Sequence, residues 1–387
     1  MKIFYDKTNT GIILSFYDIA YLPTKQTKLN PTSIMSEASL KPYIEKLIDG
    51  TDLTSAETEA AFGAILRGAD EVQVGALLML LRAKGETSTE IAGMVRAMNN
   101  ACNRVTVPGK LLDIVGTGGD GADTINISTA SVVLAAACGC VVAKAGNRSV
   151  SSACGSADVL EALGVKVALS PEQVAKCVEA CGVAFMFAPV NHPAMRFVAP
   201  VRKKLGIRSC FNILGPMTNA AAAQHAVIGV FHEELVPLMA RALKEVGRVD
   251  HAVVIHGVGL DEISPMGPAT ILEIKNTAPE GEAKDYIEKK FSFDPLDVGI
   301  PRCVVEDLKG GGPEQNKEEF RKALEGGDHT NAKRDSIVLN AGVGCYVYGL
   351  VGSIPEGVAL ARSTLESGKA IEVLNKWITA SNEAAQL

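Results

Sequence analysis

The feature that most constrains the fold is a glycine-dense turn between an apolar strand and a helix. Residues 111–130 read LLDIVGTGGDGADTINISTA, and four glycines follow the apolar run: Gly116, Gly118, Gly119 and Gly121. Glycine adopts positive φ without steric cost and lets other groups approach the backbone closely. Asn126, Ser128 and Thr129 are expected to open the next helix, whose first N–H groups lack intrahelical partners. The sequence therefore predicts an anion site suited to a phosphate.

The spacing Gly116-x-Gly118-x-x-Gly121 also matches the fingerprint of dinucleotide-binding folds. That fingerprint requires an acidic residue about 20 residues further on, which holds a ribose hydroxyl. Here the next apolar run, Val141–Ala143, ends in Lys144 instead. A cation beside a glycine turn suits a ligand with several phosphates, so the sequence disfavours NAD.

Composition narrows the class of protein. The 387 residues suffice for two domains, and 47% hydrophobic with 21% charged residues is ordinary for a soluble globular protein. The net charge of −6 disfavours non-specific nucleic-acid binding, which depends on many Lys and Arg contacts to phosphates. No apolar run reaches the roughly 20 residues that span a bilayer.

The cysteines and the first residues bear on location. There are nine cysteines and no Cys-x-x-Cys pair, which predicts a reducing, intracellular compartment and disfavours a zinc site. Residues 1–36 are predicted to be an extension outside the folded domains. Three interpretations stay open for it: a disordered segment, a start codon set upstream of Met35, or a weak organelle leader.

Residues 37–106 are predicted to form a small helical domain. A stripe of apolar residues between Leu40 and Ile48 indicates one helix, and Val72–Leu81 is apolar almost all round, which predicts a buried helix. Thr54-Ser-Ala-Glu57 and Thr87-Ser-Thr-Glu90 have the spacing of capping boxes. A helical segment at about 190–206 is expected to pack back on this domain.

Residues 107–387 are predicted to form a larger α/β domain with a mainly parallel central sheet. Short apolar runs alternate there with helical stretches: Leu111–Val115, Val141–Ala143, Val165–Leu169, Val183–Phe187, Ala226–Phe231, Ala252–Ile255 and Thr270–Ile274. This rhythm is typical of βα units, which place ligands at the carboxyl ends of the strands.

A second polar loop, Lys144–Ser152, follows the run Val141–Ala143. Its hydroxyl and amide side chains supply neutral hydrogen bonds, and Lys144 and Arg148 supply charge, a mixture suited to a sugar phosphate. Ser156 or Asp158 is expected to cap the next helix, which Gly164 ends. The plainer interpretation is an ordinary capped loop.

Two further groups carry charge near the predicted edge. Asp261 and Glu262 follow the run Ala252–Ile255, and adjacent carboxylates at a strand end near phosphates favour Mg²⁺ between them; a solvated acidic pair is the alternative. His192 and Arg202 lie on a segment with several basic residues, and Arg202 is the better candidate for binding an anionic acceptor.

With these motifs the chain resembles the anthranilate phosphoribosyltransferase family. The likeness runs from about residue 38 to about 380 and depends on four segments: Asp113–Thr129 (DIVGTGGDGADTINIST), Lys144–Gly164 (KAGNRSVSSACGSADVLEALG), His192–Asn219 (HPAMRFVAPVRKKLGIRSCFNILGPMTN) and Gly259–Gly267 (GLDEISPMG). Ser-Ala-Cys-Gly-Ser-Ala-Asp and Phe293–Cys303 resemble plant and algal members, which would imply the plastid stroma; otherwise the cytoplasm is expected.

The resemblance implies a fold like that of the nucleoside phosphorylases and transfer of the phosphoribosyl group of phosphoribosyl diphosphate (PRPP) to anthranilate, on the route to tryptophan. It implies a homodimer formed through the helical domain, and no covalent or acid–base catalytic residue. The residues implied to surround PRPP are Gly116, Gly119, Asp120, Thr124, Asn126, Ile127, Ser128, Thr129, Lys144, Gly146, Asn147, Arg148, Ser149, Ser151, Ser152 and Ser156. Those implied for anthranilate are Gly116, Asn147, His192 and Arg202, and those for Mg²⁺ are Ser128, Asp261 and Glu262.

One departure from the family pattern stands out. Ala145 occupies a position where many bacterial members carry histidine, so a catalytic role for that position is in doubt here. Two other functions fit the sequence less well. A pyrimidine nucleoside phosphorylase would need a different phosphate loop, and a non-catalytic nucleic-acid binder would need a basic surface.

Overall fold

The computed structural model describes residues 39–149, 152–325 and 331–387. The expectations for residues 1–36 and for Ser151 lie outside these described residues. Within them the chain forms sixteen α-helices and seven strands.

Four helices, α1–α4, form the N-terminal bundle: α1 Lys41–Ile48, α2 Ser55–Ile65, α3 Glu71–Lys84 and α4 Ser88–Asn100. The other helices are α5 Ile127–Ala137, α6 Ser156–Leu163, α7 Pro171–Cys181, α8 Ala188–Asn191, α9 Ala199–Leu205, α10 Phe211–Leu214, α11 Leu235–Val246, α12 Val305–Leu308, α13 Pro313–Leu324, α14 Ala332–Tyr348, α15 Ile354–Glu366 and α16 Lys369–Ala384. The strands are β1 Leu112–Gly116, β2 Val142–Gly146, β3 Val183–Phe187, β4 His225–Gly229, β5 His251–His256, β6 Ala269–Asn276 and β7 Tyr286–Phe293.

The bundle begins its helices as the sequence predicts. Thr54 Oγ1 accepts a hydrogen bond from Glu57 N at 3.2 Å, and Glu57 Oε2 accepts one from Thr54 N at 2.8 Å. Thr87 and Glu90 repeat this capping box at the start of α4. Each box satisfies N–H groups that the first turn of a helix leaves without partners.

The predicted all-round burial of the helix at 72–81 is wrong. Helix α3 buries Val74, Leu77 and Leu81, but Val72 is 79% exposed and Met79 is 37% exposed. The apolar run therefore has an outer face that a single chain leaves open to solvent.

The seven strands form one sheet in the order β3-β2-β1-β4-β5-β6-β7. Strands β1 to β5 pair in parallel, and β6 and β7 add antiparallel neighbours at one edge. The predicted fold class, a small helical domain with a larger domain on a mainly parallel sheet, is confirmed. The predicted strand at Val165–Leu169 is wrong, because these residues pair with no strand of the described chain.

Helices cover both faces of the sheet. Ile114 of β1, Val227 of β4 and Val253 of β5 face a core formed with α5, α14 and α16. The residues that follow two of them, Val115 and Ile228, belong to a second core, which continues into the helical bundle. This alternation of side chains is what two-sided burial of a sheet requires.

The segment at 190–206 contacts the bundle. An ideal Cβ at Gly75 lies 3.9 Å from Val201 Cγ1, the Phe197 ring lies beside Gly68, and Lys204 pairs with Glu71.

Contacts group residues 37–387 as one compact unit, and the division into residues 37–106 and 107–387 stays a prediction. Of the helices in the described ranges, none is long and apolar enough to cross a bilayer.

Candidate active site

The glycine turn follows β1 at the carboxyl edge of the parallel strands. Gly118, Gly119 and Gly121 have φ of 69°, 79° and 79°, a left-handed conformation that glycine adopts most readily. Helix α5 begins directly after the turn at Ile127. Asn126 directly precedes it, as expected, but its side chain makes no capping bond; its amide instead donates to Cys154 O at 3.0 Å.

The acidic pair closes over the glycine turn. Gly118 N donates to Asp261 Oδ2 at 2.6 Å, and Ser128 N, in the first turn of α5, donates to Glu262 Oε1 at 3.0 Å. Two of the N–H groups expected to face an anion are thus held by carboxylates. The turn, the start of α5 and the acidic pair form one connected site.

This closeness depends on glycines that leave room for the acidic pair. An ideal Cβ at Gly116 would lie 2.2 Å from Asp261 Oδ2, and one at Gly229 would lie 1.5 Å from Asp261 O. Gly116 and Gly229 are register partners at the ends of β1 and β4. A larger residue at either position would displace Asp261.

Burial and crowding of like charge act on both carboxyl groups. Burial, with the charge of Asp120 next, raises the pKa of Asp261 to about 7. Burial and the neighbouring Asp261 raise the pKa of Glu262 well above its usual value. Carboxylates that are held close together repel each other, and a bound cation relieves this repulsion.

The donors in this site fit a hard divalent cation. Asp261, Glu262 and the Ser128 hydroxyl offer oxygen atoms, and Mg²⁺ commonly binds through one or two carboxylates together with waters and substrate phosphates. In the described residues no cluster of three His, Cys, Asp or Glu side chains could hold a metal by itself. The arrangement therefore suits a metal shared with a phosphate ligand better than a closed protein site.

Lys144 lies deeper than the sequence predicts. It is the third residue of β2 and only 1% exposed, and so is not a cation at the strand end. Its Nζ donates to Ile114 O at 2.7 Å and to Ser128 Oγ at 3.3 Å. Lys144 thus joins β2 to β1 beneath the acidic pair and holds the Ser128 side chain.

A buried polar pair missed by sequence reasoning supports this layer. Asn219 Nδ2 donates to Asp113 Oδ2 at 2.7 Å and to Ala143 O at 2.9 Å. Asp113 Oδ1 also accepts from Ala145 N at 3.3 Å, and burial raises the pKa of Asp113 to about 6. A charged residue inside the apolar run LLDIV was the available signal.

The loop after β2 is organised by α6. Asp158 accepts from Ser149 N at 3.1 Å and from Gly155 N at 2.9 Å, whereas Ser156 is the first residue of α6 and no cap. Ser156 Oγ accepts from Thr129 Oγ1 at 3.0 Å, which connects this loop to α5. Arg148 turns away from the glycine turn and pairs with Glu161 at 2.5 and 2.8 Å.

Four further residues implied for PRPP lie on or beside these loops. Gly146 ends β2, Ser152 and Asn147 are exposed, and Thr124 forms an isolated bridge with Lys309. Ala122 N donates to Asp120 Oδ1 at 3.1 Å, which keeps Asp120 on the turn.

The residues implied for anthranilate are less closely joined. His192 Nε2 lies 2.9 Å from Thr218 O, and burial lowers the pKa of this imidazole. The Arg202 guanidinium lies 5.6 Å from the centre of the Phe211 ring, and burial lowers its pKa. Among the hydrogen bonds, ion pairs and ring contacts of the described residues, none links His192 or Arg202 to Asn147 or Gly116.

Comparison with known families agrees with this architecture. The α/β-domain model of the glycosyl transferase family matches residues 108–371, and the helical-bundle model of the same family matches residues 41–102. The anthranilate phosphoribosyltransferase of Methanosarcina acetivorans is 47% identical over 340 residues, which cover 87% of this chain and 89% of that protein.

Two solved structures extend the comparison. Anthranilate phosphoribosyltransferase from Thermus thermophilus superposes with a TM-score of 0.80 at 42% identity, covering 88% of this chain and 99% of that one. The Saccharomyces cerevisiae enzyme, solved in complex with PRPP and Mg, gives a TM-score of 0.81 at 28% identity, covering 90% and 99%. It has also been solved with 4-fluoroanthranilate. The chain therefore belongs to the anthranilate phosphoribosyltransferase family.

Proposed function

We propose that this chain transfers the 5-phosphoribosyl group of PRPP to the amine of anthranilate, giving N-(5-phosphoribosyl)anthranilate and pyrophosphate. The observation that carries the proposal is the contact of Asp261 and Glu262 with the glycine turn and the first turn of α5. This contact brings carboxylate oxygens that suit Mg²⁺ next to a glycine turn and a helix start that suit a phosphate, which supports a metal shared with a phosphate ligand. The yeast relative solved with PRPP and Mg supports the same pair of ligands.

The reaction needs alignment and charge stabilisation more than acid–base chemistry. The amine nitrogen of anthranilate forms a bond to the anomeric carbon of PRPP, and the carbon–oxygen bond to pyrophosphate breaks with its electron pair. The nitrogen then loses one proton to water. The proposed reaction needs no covalent or acid–base catalyst, and Ala145, between Lys144 and Gly146 in β2, offers no group that could serve as one.

The chain's own residues would orient both substrates. Ser128, Asp261 and Glu262 would hold Mg²⁺, which when bound neutralises charge on the pyrophosphate. The turn at 116–121 would face the phosphates with its backbone, and Lys144 would hold Ser128 in place from below. Of the other residues proposed for PRPP, Asn126, Ile127 and Thr129 lie at the start of α5, and Asn147, Ser149 and Ser152 lie on the loop between β2 and α6.

Arg202 is proposed to bind the anthranilate carboxylate. Its guanidinium lies over the Phe211 ring and is partly shielded from water, so a carboxylate would gain more there than at an exposed cation. We expect Arg202→Ala to raise the anthranilate KM by about 10- to 100-fold, the worth of a lost charge-assisted hydrogen bond. The PRPP KM should change less than about threefold.

Initial rates measured against each substrate test this assignment. Lys203→Ala is the matched control, because Lys203 is the next residue of α9 and exposed. Equal increases in both KM values for Arg202→Ala would remove Arg202 from the acceptor site.

A homodimer through the helical domain is also proposed. Val72 and Met79 on α3, and Ile48 at the end of α1, are exposed apolar residues of the bundle. A partner on this face would cover them. Sedimentation equilibrium should give twice the 40.7 kDa of one chain, and Val72→Glu should shift the mass to that of a monomer. A wild-type chain with the monomer mass at micromolar concentration would refute the dimer.

The nine cysteines are all free thiols, which supports an intracellular location. The relatives at 40–47% identity come from archaea and bacteria, so a plastid location has no support from them.

The function itself is tested by its products, which should form in equal amounts from PRPP and anthranilate when Mg²⁺ is present.

A further inference from the structure

Arg208, which follows α9, contacts the glycine turn with its side chain. Helix α9 ends at Leu205, and Gly206 follows with φ of 63°, which redirects the chain toward the turn. The Arg208 guanidinium donates to Gly119 O and lies 4.4 Å from the centre of the Phe231 ring. An ideal Cβ at Gly119 would lie 3.3 Å from its terminal nitrogen, so the two groups are in contact.

Phe231, whose ring lies against the Arg208 guanidinium, is attached to the glycine turn through its backbone. Phe231 N donates to Thr117 Oγ1 at 3.2 Å, and Thr117 N donates to Gly229 O at 3.0 Å. Stacking on an aromatic face orients a guanidinium while leaving its edge free to donate hydrogen bonds. Arg208 is therefore held beside the glycine turn by the Gly119 carbonyl and the Phe231 ring.

Arg208 differs from the other cations near the glycine turn in having no carboxylate partner among the described residues. Asp120, Asp261 and Glu262 contribute carboxyl groups close together. The other nearby cations are engaged: Arg148 pairs with Asp158 and Glu161, and Lys144 is buried beneath Ser128. In the described chain, by contrast, no ion pair involves Arg208, and its side chain is exposed.

We propose that Arg208 is a further leaving-group-binding residue, whose guanidinium exchanges the Gly119 carbonyl for oxygens of the pyrophosphate. The inference rests on the proposed function, and it names the side chain that meets the charge leaving with the pyrophosphate. The planar fork of arginine matches two phosphate oxygens at once, which a lysine at the same position does not. Gly119 is only half-buried, so water can replace the donor that its carbonyl loses.

Three variants separate charge from geometry. Arg208→Gln keeps an amide donor for Gly119 O but removes the charge, and Arg208→Lys keeps the charge but removes the fork. Lys203→Gln removes one exposed positive charge from α9, shortly before Arg208 in the chain, and serves as the control. Binding of inorganic pyrophosphate is measured by calorimetry in the presence of Mg²⁺, and KM is measured for each substrate.

We expect Arg208→Gln to weaken pyrophosphate binding by about 10- to 100-fold, as for loss of hydrogen bonds between charged groups. The PRPP KM should rise with it, while the anthranilate KM stays within about twofold. Arg208→Lys should lose about three- to tenfold, and Lys203→Gln less than twofold. The thermal midpoint of Arg208→Gln should stay near that of the wild type, because an exposed side chain contributes little to stability.

Two outcomes would overturn the inference. One is wild-type affinity for pyrophosphate in Arg208→Gln, and the other is a rise confined to the anthranilate KM. If Arg208→Gln does not fold, wild-type affinity in Arg208→Lys overturns it, because the fork would then have no role. A wild-type chain that binds pyrophosphate but transfers nothing would refute the proposed function, while the calorimetric comparison would still decide the role of Arg208.

Discussion

Replacing Asp261 with Asn and Glu262 with Gln in one variant should lower kcat/KM by about 100- to 1000-fold, as when a preorganised charge interaction is removed from an active site. Both new side chains keep an oxygen that can accept from Gly118 N and Ser128 N. The shape of the glycine turn should therefore survive while the negative charge is lost. The Mg²⁺ concentration for half-maximal rate should rise at least about 10-fold.

The control for this variant is a second adjacent acidic pair. Glu233 and Glu234 follow β4, are exposed, and have no contact with the glycine turn among the described residues. Glu233→Gln with Glu234→Gln changes the net charge by the same amount and should leave the Mg²⁺ titration unchanged. An unchanged titration in the Asp261–Glu262 variant would show that this pair does not hold the metal.

Gly229→Ala should destabilise the protein and abolish transfer together. The added Cβ would lie 1.5 Å from Asp261 O and 2.4 Å from Asp261 C, and both are backbone atoms that cannot move aside cheaply. Overpacking of this kind costs about 3 kcal/mol or more, which corresponds to a fall in Tm of roughly 5 °C or more. Displacement of Asp261 should also weaken the dependence of the rate on Mg²⁺.

Gly312→Ala is the matched control for this substitution. Gly312 has φ of −67° and ψ of 172°, which any residue before a proline can adopt, and an ideal Cβ there meets no atom within 4 Å. That variant should keep the wild-type Tm and rate. If Gly229→Ala also kept them, the acidic pair would not depend on the close approach of β4.

The glycine turn was predictable because its physics is local. Four glycines within six residues after an apolar run indicate positive φ and close approach, and Gly118, Gly119 and Gly121 have that φ. The capping boxes at Thr54 and Thr87 were predictable for the same reason. Each depends on neighbours a few residues apart.

Features that depend on distant partners were not predictable. Val165, Val167 and Leu169 alternate as in a strand and are buried, but Lys166 N donates to Ser381 Oγ of α16 at 3.0 Å. The alternation of apolar residues is as predicted, but no strand of the described chain lies beside this segment to pair with it. Strand β7 was missed because its sequence, YIEKKFSF, carries the charges typical of an edge strand.

The candidate site divides along the same line. The sequence predicted which loops would meet at the sheet edge, but the depth of Lys144 and the pairing of Arg148 with Glu161 depend on tertiary contacts. Asp113 and Asn219 lie 106 residues apart in sequence, and the hydrogen bond between them could not be inferred from either segment alone.

The proposed transfer is tested by the loss of anthranilate fluorescence when the purified chain is mixed with anthranilate, PRPP and Mg²⁺. We expect a loss that requires both PRPP and Mg²⁺, proceeds until the limiting substrate is consumed, and releases one pyrophosphate for each anthranilate. No loss of fluorescence with folded protein, or a loss that continues without PRPP, would contradict it.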